Sequence, residues 1–177
     1  KGGVATSTVS IGINSLNDAP VSSDLNLTTA EDTAVNGAIS ASDPESDPLS
    51  YSVTGNPSNG TVVLNPSTGT FVYTPNTNYK GSDSFTVTIS DGNGGTTTSL
   101  VSIGISSQND VPVLSVTSTN NFTEDAPSNA VGSVVATYTT SDADGDTVTV
   151  TLSDTVNYAL DGSGGVTLTA AGLALVN

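Results

Sequence analysis

Gly2–Val21 reads GGVATSTVSIGINSLNDAPV, and Gly94–Val113 reads GGTTTSLVSIGISSQNDVPV. The two stretches are identical at 14 of 20 positions and lie 92 residues apart. Self-similarity at one fixed period marks a tandem array of small modules. Each copy ends in Asn-Asp-x-Pro-Val, so the repeated piece is the last strand of one module plus the joint to the next. On that register residues 1–17 are the terminal strand of a preceding module, 18–109 a complete module, and 110–177 a second module that is incomplete at its C-terminus. The second falls about 25 to 30 residues short of the first. Either the ordered chain ends early, or a neighbouring chain supplies strands by β-augmentation, with Val4–Ile13 the natural donor.

The local pattern is that of strands. Phe85-Thr-Val-Thr-Ile89, Val101-Ser-Ile-Gly-Ile105, Tyr51-Ser-Val53 and Thr147-Val-Thr-Val-Thr-Leu152 each alternate large apolar with small polar residues. This is the signature of half-buried antiparallel strands. Turn clusters separate them at Gly55–Gly60, Asn65–Gly69, Asp91–Gly95 and Asp161–Gly165, and no segment carries a helical period. The complete module yields strands A (Val21–Leu27), B (Val35–Ala41), C (Leu49–Thr54), D (Thr61–Leu64), E (Thr70–Tyr73), F (Ser84–Ser90) and G (Thr96–Ile105). Seven short antiparallel strands in about 90 residues predict tandem all-β, immunoglobulin-like Greek-key sandwiches. The expected core is Leu27, Ile39, Tyr51, Val53, Val63, Phe71, Tyr73, Phe85, Val87, Ile89, Val101 and Ile103. Phe122, Val134, Val148, Val150, Leu152, Leu160 and Leu168 are expected to do the same in the second module.

Composition excludes whole classes of function. There are 17 acidic residues against two lysines, with no arginine or histidine, for a net charge of -15. Such a chain cannot build the basic surface that nucleic acid or an anionic membrane requires. No run reaches the roughly 18 apolar residues of a membrane span, so membrane insertion is not expected. Cysteine is absent, which removes disulfides and thiolate metal sites. With 34% hydrophobic and 5% aromatic residues, each module has a modest core, and something besides burial is expected to stabilise it.

The acids fall in clusters. Asp43-Pro-Glu45-Ser-Asp47 and Asp142-Ala-Asp144-Gly-Asp146 occupy the B–C loop of successive modules, with carboxylates at alternate positions. In a tight loop that spacing turns three carboxylates toward one point, where a cation offsets their repulsion. The alternative is a solvated acidic turn. Topology gathers Asn17, Asp18, Asp43, Glu45, Asp47 and Asp91 at the upper pole of the complete module. It places Glu31, Asp32 and Asp83 at the lower pole, with Asn109, Asp110, Asp142, Asp144 and Asp146 beyond the joint. Hard oxygen donors without histidine or cysteine suit Ca2+ above zinc or copper, and above magnesium in an irregular cage.

Asn17-Asp-Ala-Pro-Val21, Glu31-Asp-Thr33, the acidic B–C loop, Gly60-Thr61, Phe71-Val-Tyr-Thr-Pro-Asn76, Asn78-Tyr-Lys-Gly-Ser-Asp-Ser-Phe85 and Ser90-Asp-Gly-Asn-Gly-Gly95 closely resemble the bacterial cadherin-like tandem repeats of giant RTX adhesins and biofilm-associated surface proteins. The resemblance spans the complete module. The second module keeps Glu124-Asp125 and the Asp142–Asp146 loop but lacks the Tyr-Thr-Pro-Asn and Asn-Tyr-x-Gly stretches, as a distinct repeat type would. The resemblance implies calcium-rigidified extender modules at the bacterial cell surface, exported by type I secretion, whose partners are neighbouring modules joined through calcium. They would hold a distal binding domain away from the cell.

Three other readings compete. A filament subunit would join identical chains by strand addition through residues 4–13. A glycan- or peptide-binding module would present aromatics such as Tyr79, Tyr138 and Tyr158. An enzyme is not expected: no histidine, cysteine or nucleophile motif is present, and the carboxylates sit at joints and not in an aromatic cleft. The glycines of Asp91–Gly95 and Asp161–Gly165 read as hairpin turns, since neither recurs at nine residues.

Overall fold

The computed structural model describes residues 1–12, 16–118 and 129–174. It divides into two compact units, Lys1–Gln108 and Asn109–Asn177. Phe122, Glu124, Asp125 and the last residue of the expected donor strand, Ile13, lie outside the described residues.

The first unit contains β1 (Val21–Ser22), β2 (Leu25–Ala30), β3 (Val35–Ala38), β4 (Ala41–Ser42), β5 (Ser50–Gly55), β6 (Gly60–Leu64), β7 (Thr70–Pro75), β8 (Gly81–Ser90) and β9 (Thr96–Ser106). One sheet runs β2-β9-β8-β5 and the other β3-β7-β6, with β1 and β4 forming a short ladder. Between the sheets lie Ile39, Phe71, Tyr73, Phe85, Val87, Ile89, Val101, Ile103 and Ile105. Their alternation with polar neighbours along β7, β8 and β9 is what makes each strand two-faced. Phe71 and Phe85 meet edge to face, ring centroids 5.1 Å apart, and so tie the two sheets at the centre.

Strand A is not one antiparallel strand. It begins against β4, with Val21 opposite Ser42, and then crosses to the other sheet, where β2 pairs with β9 in parallel from Leu25↔Val101 to Ala30↔Ser106. The crossing is held at Ser23-Asp24: the Ser99 hydroxyl donates to the Ser23 carbonyl (2.9 Å) and the Leu100 N–H to Asp24 Oδ1 (2.8 Å). One parallel pair therefore replaces the expected all-antiparallel set within the same sandwich.

Val63 was expected in the core and is instead 72% exposed. Two adjacent valines make the parity of β6 ambiguous from sequence. Pairing of Val62 with Tyr73 and Leu64 with Phe71 resolves it, since both partners face the interior. Ile105 is buried and was missed because it closes the strand.

The second unit has β10 (Val113–Ser118), β11 (Val134–Ser141), β12 (Tyr158–Leu160) and β13 (Gly165–Leu168) in one antiparallel sheet of order β10-β11-β13-β12. Leu168 is buried as expected, while Val134, Val148, Val150, Leu152 and Leu160 are half-buried. A single helical turn, α1 (Ala170–Leu173), follows, against the expectation of no helix. Thr169 caps it, accepting the N–H of Gly172 at 3.1 Å. Thr147–Leu152 keeps its alternating burial but joins no ladder. Its counterpart β5 is held by β8, and no described strand of the second unit takes that part. Residues 4–12, expected as a strand, likewise lie in no ladder among the described residues, and Val4, Val9 and Ile11 are 79 to 92% exposed.

Candidate metal centre

The upper end of the first unit is assembled from three loops that are distant in sequence. Asp43 opens the turn after β4 and curls it around its own side chain: Oδ1 accepts the N–H groups of Glu45 (3.0 Å) and Asp47 (3.1 Å), with Ser46 in the left-handed region at φ 66°. That arrangement folds the backbone at Glu45 and Asp47 back onto the Asp43 carboxylate. The Asp18 N–H then reaches Glu45 Oε2 (3.1 Å), bringing in the segment before β1.

Asp91 anchors the β8–β9 hairpin. Its Oδ1 accepts the N–H groups of Asn93 (2.7 Å) and Gly95 (3.0 Å), and its Oδ2 accepts the Asn17 amide (2.8 Å). Gly95 is required here, because a Cβ would run into the Asp91 carboxylate and come within 2.8 Å of Ala19 Cα. The Asn17 amide, followed by the N–H groups of the turn, holds the Asp91 carboxyl below the usual carboxylate range. Asn93 closes the circuit by donating its side-chain amide to Asp47 Oδ2 at 2.7 Å. Asn17, Asp18, Asp43, Glu45, Asp47 and Asp91 are thus linked in one hydrogen-bonded ring. Asn93 was missed by sequence reasoning, although its place between Asp91 and Gly94 was the available signal.

One atom in this ring stands out. Asp43 Oδ2 is buried, and no donor among the described residues reaches it. Five carboxylates share this end of the unit, and the donors named above are all neutral N–H groups. Oxygen-only ligands and a buried orphan carboxylate oxygen fit a hard divalent cation.

The second unit repeats the bracket. Asp142 Oδ1 accepts the N–H groups of Asp144 (3.0 Å) and Asp146 (3.1 Å), and Asp110 N–H reaches Asp144 Oδ2 (2.8 Å). Asp110, Asp142, Asp144 and Asp146 therefore stand to one another as Asp18, Asp43, Glu45 and Asp47 do. The Asn109 amide turns to the Asp110 carbonyl (3.0 Å). Asp161 forms the β12–β13 hairpin as Asp91 does its own, accepting Ser163 and Gly165 N–H groups.

At the lower end of the first unit the three expected ligands part company. Glu31 is 3% exposed and takes the Gln108 N–H at 2.6 Å. Asp32, at φ 55°, accepts the Asn78 N–H at 3.1 Å. Asp83 faces the interior, where its oxygens accept the N–H groups of Ser58 (3.0 Å), Asn59 (2.9 Å) and Ser84 (2.9 Å) and the Tyr73 hydroxyl (2.8 Å). Four donors occupy its lone pairs, so Asp83 braces the Ser58–Asn59 loop against the core. Tyr79, a candidate for glycan contact, packs against that core and donates its hydroxyl to the Ser82 carbonyl at 2.8 Å.

Two facing sheets with acidic loops at one end define an immunoglobulin-like module. Residues 17–104 match the family model of the bacterial Ig domain. Residues 17–104 are thus a bacterial Ig-like module, and the fold of the chain is cadherin-like. Among solved structures it is similar to protocadherin gamma B2 extracellular cadherin domains 3–6 (TM-score 0.56, 20% identity, 86% of this chain and 39% of that one). Domains 1–5 of the same protein match at TM-score 0.53 and 19% identity, over 88% of this chain and 33% of that one. The chain therefore spans well under half the length of these relatives. No curated protein matches the sequence. No helix among the described residues is long and apolar enough to cross a membrane.

Proposed function

We propose that these units are calcium-rigidified extenders of a bacterial surface adhesin, non-enzymatic, with the distal ligand held by another part of the parent protein. The single observation that carries the reading is the acidic bracket built twice from different loop sequences, with Asp43 Oδ2 left buried and without a donor. Ca2+ at the upper end would be held by Asp18, Asp43, Glu45, Asp47 and Asp91. In the second unit the corresponding set would be Asp110, Asp142, Asp144 and Asp146.

Extracellular calcium modules bind with dissociation constants of about 0.1 to 1 mM, so such sites stay empty in a cytosol and fill on export. At calcium 100-fold above that constant each independent site stabilises its unit by about 2.7 kcal/mol. The resemblance to RTX adhesin repeats extends the reading to type I secretion. The test is a thermal melt in EDTA, in millimolar calcium and in millimolar magnesium, with small-angle scattering on the same samples. A calcium-specific rise with a longer, stiffer particle supports the extender. No calcium response removes it.

A further inference from the structure

Three Asn-Gly pairs occur in the chain, at Asn36, Asn59 and Asn93. The structure treats them differently. Gly37 is paired with Phe71 in the β3–β7 ladder. Asn59 is pinned on both sides, its N–H on Asp83 and its carbonyl accepting the Asn76 N–H at 2.8 Å, and Gly60 pairs with Pro75. Asn93 sits exposed at the tip of the Asp91–Gly95 turn, before an exposed glycine at φ 106° with open space where a side chain would stand, in a turn held by N–H groups on the Asp91 carboxylate and in no strand ladder.

We propose that Asn93 is a site of spontaneous deamidation, and that the change adds a carboxylate to the acidic ring at the upper end of the first unit. The Gly94 nitrogen attacks Asn93 Cγ as its proton passes to hydroxide. The Cγ–Nδ2 bond breaks, and Nδ2 leaves as ammonia after taking a proton from water. This gives a five-membered succinimide. Water then opens the ring: cleavage at Cγ gives aspartate, and cleavage at the backbone carbonyl gives isoaspartate. Water is the only co-reactant consumed.

The position of Asn93 gives this chemistry a consequence that the other two pairs lack. Its amide is the donor that now satisfies Asp47 Oδ2 at 2.7 Å. After conversion the donor is gone and two carboxylates face each other, a repulsion that a cation between them reverses into shared ligation. Ageing would therefore make the unit less stable without calcium and tighter in its hold on calcium. This second half rests on the calcium reading above; the chemistry at Asn93 does not.

The experiment has two arms. In the first, the whole chain is aged at neutral and mildly alkaline pH and mapped by peptide mass spectrometry with isoaspartate detection, beside an Asn93→Gln control. The expected result is conversion at Asn93, faster at higher pH and at least about tenfold ahead of Asn36 and Asn59, the factor that each 1.4 kcal/mol of local opening imposes. Equal or earlier conversion at Asn36 or Asn59 overturns the proposal. In the second, calcium titrations compare the unaged chain with Asn93→Asp, which is expected to bind about tenfold tighter and to melt lower in EDTA. A calcium response in the parent chain that Asn93→Asp leaves unchanged overturns the coupling. No calcium response in either chain overturns the calcium reading, and the peptide map still decides the modification.

Discussion

The Tyr73 hydroxyl donates to Asp83 Oδ2 at 2.8 Å, and the same carboxylate takes three backbone N–H groups. Burial pushes the Asp83 carboxyl up, but the tyrosine and the three N–H groups more than offset it, so it titrates below the ordinary value. Burial, with the carboxylate beside it, pushes the Tyr73 phenol up. A depressed folded-state value means that this contribution is fully present above the unfolded value of about 3.9 and is lost as pH falls through the lower folded value. Urea denaturation between pH 7 and pH 2 is expected to show a steeper loss in the parent chain than in Asp83→Ala, which keeps only the share of Asp91 and the other depressed carboxylates. The substitution strands four donors and is expected to cost about 3 kcal/mol, against about 1 kcal/mol for Tyr73→Phe.

Asp43→Asn separates a metal ligand from a structural acid. Oδ1 can still accept the Glu45 and Asp47 N–H groups, while the orphan oxygen and its charge disappear. The variant is expected to melt at or above the parent in EDTA and to lose most of the calcium-induced rise. A lower melting temperature in EDTA with the calcium rise intact would make Asp43 a turn residue only.

Gly95→Ala places a methyl group on the Asp91 carboxylate. The hairpin must open to admit it, and Asn17 and Asn93 lose their shared anchor. Calorimetry is expected to show a lower melting temperature for the first unit and a weakened calcium response, whereas Gly92→Ala, with open space around the new atom but a φ of 78°, brings backbone strain alone.

Asp144→Ala removes the acceptor of the Asp110 N–H. Calcium stabilisation of the second unit is expected to fall while the melting of the first stays within about 0.5 kcal/mol of the parent. An equal loss in both units would show that the effect is not local to the 108–110 link.

The sandwich was legible because its strands are periodic: Phe85, Val87 and Ile89, or Val101 and Ile103, could face only one way. Where periodicity failed, the outcome turned on partners far away in sequence. Val63 lost its place to Val62 and Leu64 because β7 set the parity. Strand A divided because Ser99 and Leu100, 76 residues on, hold Ser23 and Asp24 at the crossing. The acidic loops were visible by their spacing, while the brackets that Asp43 and Asp142 form around themselves were not. Asp83 did not, since nothing in Ser82-Asp83-Ser84 shows that this acid turns inward to a tyrosine. Asn93 was hidden for a related reason, its partner Asp47 being 46 residues away.

The parallel pairing of β2 with β9 bears on how the first unit would carry load. The chain enters the pair at Leu25 and leaves it beyond Ser106, at opposite ends of the same ladder. Tension along the chain therefore slides the two strands past one another, and the bonds from Leu25↔Val101 to Ala30↔Ser106 must yield together. Antiparallel first and last strands would place both ends at one edge, where a pull unzips bonds singly. The switch of strand A between sheets thus makes the unit a shear-loaded fastener.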